Sequence, residues 1–180
     1  MKAKDAALCG IGAALLCVCA WICIPAPVPF TLQTMGVFLV VGLLGGRRGS
    51  IAVLVYLLLG AVGLPVFSGF NGGLGALLGP TGGYIVGFLA CALAMWGITA
   101  RFGEGAKVLA LAMLIGLLVC YAIGTAWYML VFLQRGEAQS LSKVLTVCVF
   151  PFLLPDGVKG ALSLLLIERL KPYLQRENSF

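Results

Sequence analysis

The charged pair with the most suggestive spacing is Asp156 and Lys159, three positions apart in the segment LLPDGVKG. On a helix this spacing puts both side chains on one face. A carboxylate and an ammonium group placed together can bind a ligand that carries hydrogen-bond donors and an anionic group. Structural alternatives remain open, because Asp156 could cap a helix that begins after Pro155, and Lys159 could pair with Asp156 or extend to a polar interface.

Uncharged polar groups gather in two other segments. PVPFTLQT (27–34) carries Thr31, Gln33 and Thr34, and GFNGGLGALLGPTGGY (69–84) carries Asn71, Thr81 and Tyr84. Seven residues of the second segment are glycine, which lets the backbone approach a ligand closely. Together with Asp156 and Lys159, these groups suit a small ligand with hydrogen-bonding and anionic ends. FNGG is equally a turn sequence, and Tyr84 could be an ordinary interfacial aromatic.

The composition places these residues in a membrane protein. Of the 180 residues, 62% are hydrophobic and only 10% are charged, and the mean hydropathy is +1.11. Soluble domains have roughly 45–50% apolar and about 25% charged residues, so this chain cannot cover a globular surface with polar groups. Its length allows one compact membrane domain, residues 1–180. The net charge of +6 comes without a basic run interleaved with aromatics, so nucleic-acid binding is not expected.

Six apolar segments are candidates for spanning helices, each of which needs about 20 mostly apolar residues. They cover approximately residues 6–24, 31–44, 50–64, 81–101, 106–134 and 156–174. The second and third are short for a full crossing, and the region between Pro65 and Pro80 is irregular. Non-helical backbone at membrane depth occurs only where it is buried in protein or lines a cavity. The sequence therefore predicts an all-α membrane protein of six helices with a cavity beside the glycine-rich segment.

The basic residues predict the orientation. Nine of the twelve fall at one end of the predicted bundle: Lys2, Lys4, Arg47, Arg48, Arg101, Lys107, Arg169, Lys171 and Arg176. The other end has Arg135, Lys143 and Lys159. By the positive-inside rule both termini are cytoplasmic, and the three polar segments face outward.

Other reactive groups give little indication of catalysis. The seven cysteines lie in or beside apolar runs, without a CxxC pair, and the chain has no histidine. We expect them to be small apolar packing groups rather than metal ligands, and we expect neither a metal site nor a cofactor. The sequence has no GxxxxGK[ST] phosphate loop, so any ATP hydrolysis of that kind belongs to partners. A membrane enzyme acting on lipid or peptide would lack a nucleophile–base pair.

Small residues recur at every fourth position of the first span, at Ala6, Gly10 and Ala14. This spacing allows close helix–helix contact in lipid. The face could pack inside the protein or bind another membrane subunit, and both readings remain open.

Taken together, PVPFTLQT, GGLGALLGPTGGY (72–84) and PDGVKG (155–160) resemble the BioY family, the biotin-specific S components of energy-coupling factor (ECF) transporters. The resemblance covers nearly the whole chain in length, span number and motif order. It implies a six-helix S-component fold, high-affinity biotin binding near the external face, and a multi-pass location in a bacterial or archaeal cytoplasmic membrane. It also implies partners: an EcfT-like transmembrane coupling protein and two ATP-binding-cassette ATPases.

The resemblance also suggests roles for individual residues. Family positions implicated in biotin binding match Asn71, Tyr84, Asp156 and Lys159, and the glycine-rich segment would close over the ligand. We expect Asp156 to accept hydrogen bonds from the ureido N–H groups, and Lys159 to bind the valerate carboxylate unless the two pair together. The candidate substrate-binding residues are Phe30, Gln33, Asn71, Gly73, Gly83, Tyr84, Asp156 and Lys159. The face formed by Ala6, Gly10 and Ala14 would contact the coupling protein. Alternatives are an S component for another small vitamin, a precursor such as dethiobiotin as ligand, or a membrane assembly subunit.

Overall fold

The structure is a computed structural model that describes residues 3–26 and 28–176, with side chains to Tyr173. Lys2 and Pro27, which the orientation and motif arguments include, lie outside these residues, as does the side chain of Arg176.

Most of the described chain is helical. Its elements, in chain order, are α1 (Ala3–Trp21), β1 (Cys23–Ile24), β2 (Phe30–Thr31), α2 (Gln33–Leu44), α3 (Gly46–Ala61), a 3₁₀ turn (Ser68–Phe70), α4 (Leu74–Leu78), α5 (Gly82–Phe102), α6 (Ala106–Gln134), α7 (Leu141–Cys148) and α8 (Phe150–Arg176). The two short strands pair antiparallel, with Cys23 opposite Thr31.

Among the described residues, four helices are long and apolar enough to cross a membrane: Ala3–Trp21, Gly82–Phe102, Ala106–Gln134 and Phe150–Tyr173. The chain is therefore a multi-pass membrane protein. Helices α2 and α3 have 12 and 16 residues, fewer than the roughly 20 that a full crossing needs. The count of six spans stays a prediction.

The last long helix begins earlier than the sequence predicts. Helix α8 starts at Phe150 rather than at Asp156, and Pro155 lies inside it. A proline removes one backbone hydrogen bond from a helix interior, which membrane helices tolerate because neighbouring groups satisfy the freed carbonyl. Asp156 therefore lies within the helix and does not cap its start.

Glycines allow α5 and α6 to pack closely. A Cβ atom at Gly83 would overlap the Trp127 side chain, and one at Gly124 would overlap the ring of Tyr84. Small residues at such contacts bring helix backbones together in lipid, where van der Waals packing replaces the hydrophobic effect. This packing fixes the wall from which Tyr84 projects.

Ion pairs join several helices at one end of the bundle, which we call the basic end. Asp5 on α1 pairs with Arg48 on α3 at 2.7 Å, and Glu104, between α5 and α6, pairs with Lys171 near the end of α8. The described basic residues at these helix ends are Lys4, Arg47, Arg48, Arg101, Lys107, Arg169 and Lys171. The glycine-rich segment and the start of α8 lie at the opposite end.

Candidate functional site

A cavity lies between α2, α5, α6 and α8, towards the end opposite the basic end, and we call it the polar cavity. Its volume is about 60 Å³, room for a few water molecules at most. It is lined by Val28, Pro29, Thr31, Gln33, Thr34, Ser68, Thr81, Tyr84, Ile85, Phe88, Leu117, Cys120, Tyr121, Cys148, Phe152, Asp156 and Lys159. The structure thus brings four of the predicted site residues to one cavity: Gln33, Tyr84, Asp156 and Lys159.

The strongest polar network in the cavity centres on Asp156, which is 3% exposed. Lys159 Nζ donates to Asp156 Oδ1 at 2.7 Å, and the Tyr121 hydroxyl donates to Oδ2 at 2.6 Å. The helical spacing of Asp156 and Lys159 thus yields the ion pair that the sequence left as one alternative. Because each carboxylate oxygen already has one donor, the buried charge is compensated from both α6 and α8.

A second network surrounds Gln33 at the first turn of α2. Gln33 Nε2 donates to the Tyr56 hydroxyl at 2.7 Å, and the Thr31 hydroxyl donates to Gln33 Oε1 at 3.0 Å. The backbone N–H of Gln33 in turn donates to Thr31 Oγ1 at 3.2 Å. Since Gln33 is only 5% exposed, these bonds hold its carboxamide at the cavity wall.

Aromatic side chains form the other walls. The hydroxyl groups of Tyr84 and Thr125 lie 3.3 Å apart across α5 and α6. Phe30 stacks on Phe152, with ring centroids 4.1 Å apart, so it contacts the cavity through a lining residue. Cys120 and Cys148 also line the cavity, and all seven cysteines of the chain are free.

The glycine-rich segment contributes less to the cavity than the sequence suggests. Asn71 is exposed, and its Nδ2 donates to the Ser68 carbonyl at 2.9 Å. It lines a neighbouring pocket that shares Ser68, Thr81 and Ile85 with the polar cavity. Asn71 therefore adopts the turn role that FNGG indicates, beside the cavity rather than in it.

Two predicted glycines have backbone and packing roles. Gly73 precedes α4 with φ +86°, a conformation that favours glycine, and its N–H donates to the Gly60 carbonyl at 2.7 Å. Gly83 faces Trp127, whose Nε1 donates to the Gly79 carbonyl at 3.0 Å. Neither glycine lies among the residues that line the polar cavity.

The small residues of α1 face outward. Ala6, Gly10 and Ala14 are exposed, and a Cβ atom at Gly10 would meet nothing within 4 Å. The interior face of α1 instead carries Cys9, Ala13 and Leu16. Of the two readings of this stripe, packing inside the protein is excluded for the described residues.

Sequence reasoning missed Tyr56 and Tyr121. Each is a tyrosine within an apolar helix, and both are largely buried, at 1% and 8% exposure. Tyrosines of membrane proteins are enriched at the two interfaces. A tyrosine in the middle of an apolar helix therefore indicates that its hydroxyl has a polar partner inside the protein, and this was the signal that the sequence offered.

The chain is similar to known proteins over nearly its whole length. The BioY family model matches residues 1–176. The chain is 41% identical over 172 residues to the probable biotin transporter BioY of Pyrococcus horikoshii, covering 95% of this chain and 98% of that protein. It is 42% identical over 163 residues to the biotin transporter BioY of Thermotoga maritima, covering 90% and 92%.

A solved structure has the same fold. The crystal structure of the S-component for biotin from an ECF-type ABC transporter matches with a TM-score of 0.83 and 27% identity, covering 95% of this chain and 92% of that one. With a family match over nearly its whole length, close relatives of the same size and a common fold, this chain belongs to the BioY family.

Proposed function

We propose that this protein takes up biotin as the high-affinity substrate-binding subunit of an ECF-type transporter. The observation that carries the proposal is the buried Tyr121–Asp156–Lys159 network on the wall of the polar cavity. Ionisable residues within a membrane are costly, and they are usually found where they serve a site. The relatives are biotin transporters, which indicates biotin as the ligand, and the cavity has polar groups that suit it.

The network has hydrogen-bonding capacity left for biotin. A carboxylate has about four lone-pair sites and an ammonium group has three donors. Lys159 and Tyr121 occupy one lone pair on each Asp156 oxygen, and Asp156 occupies one Lys159 donor. We propose that Asp156 accepts from a ureido N–H and that Lys159 donates to the ureido carbonyl. This assignment replaces the expected bond between Lys159 and the valerate carboxylate of biotin, because Lys159 is already paired with the carboxylate of Asp156.

Ligand entry requires the cavity to widen, since the bicyclic ring and alkyl chain of biotin need more space than about 60 Å³. We propose that the glycine-rich segment, with Asn71 and Gly73, moves to admit biotin and closes over it. Asn71 would then contact the valerate end of biotin, because its pocket adjoins the polar cavity at Ser68 and Thr81, which line both. Gly83, Tyr84 and the stacked Phe30 would keep the opposite walls in place.

The transport arrangement follows from the two ends of the bundle. We propose six spans with both termini in the cytoplasm, so that the basic end faces inward and the cavity faces outward. The exposed Ala6–Gly10–Ala14 face would bind an EcfT-like coupling protein, and two ATP-binding-cassette ATPases would supply the energy. The protein would then need no cofactor of its own and would work in a bacterial or archaeal cytoplasmic membrane.

Binding of labelled biotin to the detergent-purified protein tests the ligand assignment. We expect saturable binding that is lost in Asp156→Asn and Lys159→Met and retained in Glu104→Gln, a matched change in an ion pair at the basic end. Competition with dethiobiotin separates biotin from its close precursor. Undiminished binding by both cavity variants would remove the network from the site.

Co-purification with a coexpressed coupling protein tests the partner assignment. Gly10→Leu places a bulky side chain on the exposed α1 face, and Gly97→Leu makes the same change at an exposed glycine of α5 with equally open surroundings. We expect the first variant to lose the partner and the second to keep it. Equal recovery of the partner with both variants would exclude this face as the contact.

A further inference from the structure

Gln33 lies close to the depth of Asp156, on the neighbouring helix α2. Three contacts define how β2 and α2 lie against α8: Phe30 with Phe152, Phe38 with Gly160, and Gly42 with Ile167. The sequence offsets of these pairs are 122, 122 and 125 positions (152−30, 160−38 and 167−42). Because the offset is nearly constant, α2 and α8 run parallel, and an offset of 122 places Thr34 level with Asp156 (34+122).

The hydrogen bonds of Gln33 leave a defined set of groups for a ligand. A carboxamide has two N–H donors and two acceptor lone pairs. Tyr56 takes one N–H, and the Thr31 hydroxyl takes one lone pair. One N–H and one lone pair therefore remain on a side chain that lines the cavity. The two bonds hold the carboxamide in its plane before any ligand arrives, and we call its free N–H and free lone pair the donor–acceptor edge.

Tyr56 holds this edge without lining the polar cavity. It is 1% exposed, and its ring meets Phe67 edge-on, with centroids 5.5 Å apart at 79°. Phe67 in turn lies against Gly60, where a Cβ atom would overlap its ring. Packing therefore fixes the position of the phenol ring, and its oxygen accepts a hydrogen bond from Gln33 Nε2.

We propose that Tyr56 is a positioning residue, which orients the Gln33 carboxamide to recognise the cyclic urea of the ligand opposite Asp156. This inference rests on the proposed function, and it adds the group that confers selectivity for the urea. One edge of a urea presents an N–H beside a carbonyl oxygen, the reciprocal of the groups that Gln33 leaves free. A carboxylate has acceptors only, so the lone pair of Gln33 would repel it. The edge therefore suits the ureido ring and not the valerate end.

A double-mutant cycle of Tyr56→Phe and Gln33→Met tests this inference in the purified full-length chain. Three probes are titrated: biotin, 2-iminobiotin, whose guanidinium group replaces the carbonyl acceptor with a donor, and biotin methyl ester, which alters only the carboxylate. Tyr128→Phe is the matched control, because it removes a hydroxyl from a tyrosine of α6 that does not line the polar cavity. Thermal unfolding without ligand reports the stability of each variant.

We expect Tyr56→Phe to weaken biotin binding about two- to tenfold, since the freed carboxamide must then be ordered on binding. Gln33→Met should weaken it about ten- to a hundredfold, because the hydrogen bonds of both its free N–H and its free lone pair are lost. Both variants should reduce the preference for biotin over 2-iminobiotin and leave the ratio of biotin to methyl ester unchanged. Added to Gln33→Met, Tyr56→Phe should have no further effect, because the group that it orients is gone.

Three results would overturn the inference. They are an additive effect of Tyr56→Phe in the Gln33→Met background, a changed ratio of biotin to methyl ester, and a Tyr56→Phe variant that binds all three probes as the unsubstituted chain does. If Tyr56→Phe fails to fold, Gln33→Met still decides, since an unchanged preference over 2-iminobiotin contradicts the recognition of the urea. Failure of the unsubstituted chain to bind biotin would instead overturn the proposed function and this inference with it.

Discussion

The two ends of the helix bundle contain ion pairs of the same chemistry in opposite surroundings. In the polar cavity, the side chains of Lys159 and Asp156 are 12% and 3% exposed. At the basic end, those of Lys171 and Glu104 are 20% and 49% exposed. An exposed pair gains little because water and salt screen it. A buried pair loses its hydration, and good geometry with additional hydrogen bonds is needed to offset that cost.

The difference in surroundings favours a functional role for the pair in the polar cavity. Tyr121 gives Asp156 a second donor in the cavity, whereas the pair at the basic end joins the α5–α6 connection to α8. A hydrophobic pair of similar volume would often stabilise a buried site equally well or better. The presence of a charged pair beside the cavity therefore supports the proposed role of Asp156 and Lys159 in ligand binding.

The largest expected effect comes from leaving one buried charge unpaired. Asp156→Asn removes the counter-charge of Lys159, and we expect a loss of about 3–5 kcal/mol in the free energy of unfolding. The double variant Asp156→Asn/Lys159→Met should recover most of that stability while still failing to bind biotin. Denaturant unfolding in detergent measures the first quantity, and labelled biotin the second. If Asp156→Asn alone is as stable as the unsubstituted chain, the ion pairs at the two ends do not differ in their contribution to stability.

The next effect isolates the donor from α6. Tyr121→Phe keeps the ion pair and the ring but removes the hydrogen bond to Asp156, and such bonds to charged groups contribute about 1.5–3 kcal/mol. We expect biotin binding to weaken at least about tenfold. Titration with biotin measures this loss. Unaltered affinity would show that the ion pair functions without its third member.

A smaller effect concerns the wall behind Tyr84. Gly124→Ala would place a methyl group into the Tyr84 ring, whereas Gly97→Ala would meet nothing within 4 Å. Overpacking of this kind costs about 1–3 kcal/mol, so Gly124→Ala should lower both the unfolding temperature and biotin affinity. The Gly97 variant should keep both, because alanine is also the better helix former. Equal behaviour of the two would contradict the close packing of α5 on α6.

The smallest effect is expected at the basic end. Glu104→Gln removes an exposed charge from the pair with Lys171, and such pairs contribute about 0–1 kcal/mol. The unfolding free energy should fall by no more than that, and the difference should shrink further at high salt. A loss comparable to that of Asp156→Asn would break the distinction between the two pairs.

Local patterns were the part of the site that the sequence could predict. The pairing of Asp156 with Lys159 depends on a spacing of three along one helix, and the turn at Asn71 depends on its immediate neighbours. The mostly helical membrane fold and the BioY family were predictable for a similar reason, because apolar runs and short motifs are contiguous. Pro155 misled the prediction of α8, since its helix-breaking tendency is weaker within a membrane.

Contacts between distant segments could not be predicted in this way. Gln33 and Tyr56 are 23 positions apart, and Tyr121 and Asp156 are 35 apart. Whether two such groups meet depends on the rotation of whole helices, which the glycine contacts of the packed bundle determine. Apolar runs give the helices themselves, but only the assembled bundle shows which of their polar groups face one cavity.

A structure determined with biotin tests the central claim most directly. We predict density for the bicyclic ring in the polar cavity, between Gln33 on α2 and Asp156 on α8, with the Tyr121–Asp156–Lys159 network intact. Density for biotin at the basic end, such as in the groove lined by Arg47 and Trp96, with the polar cavity empty would contradict the account.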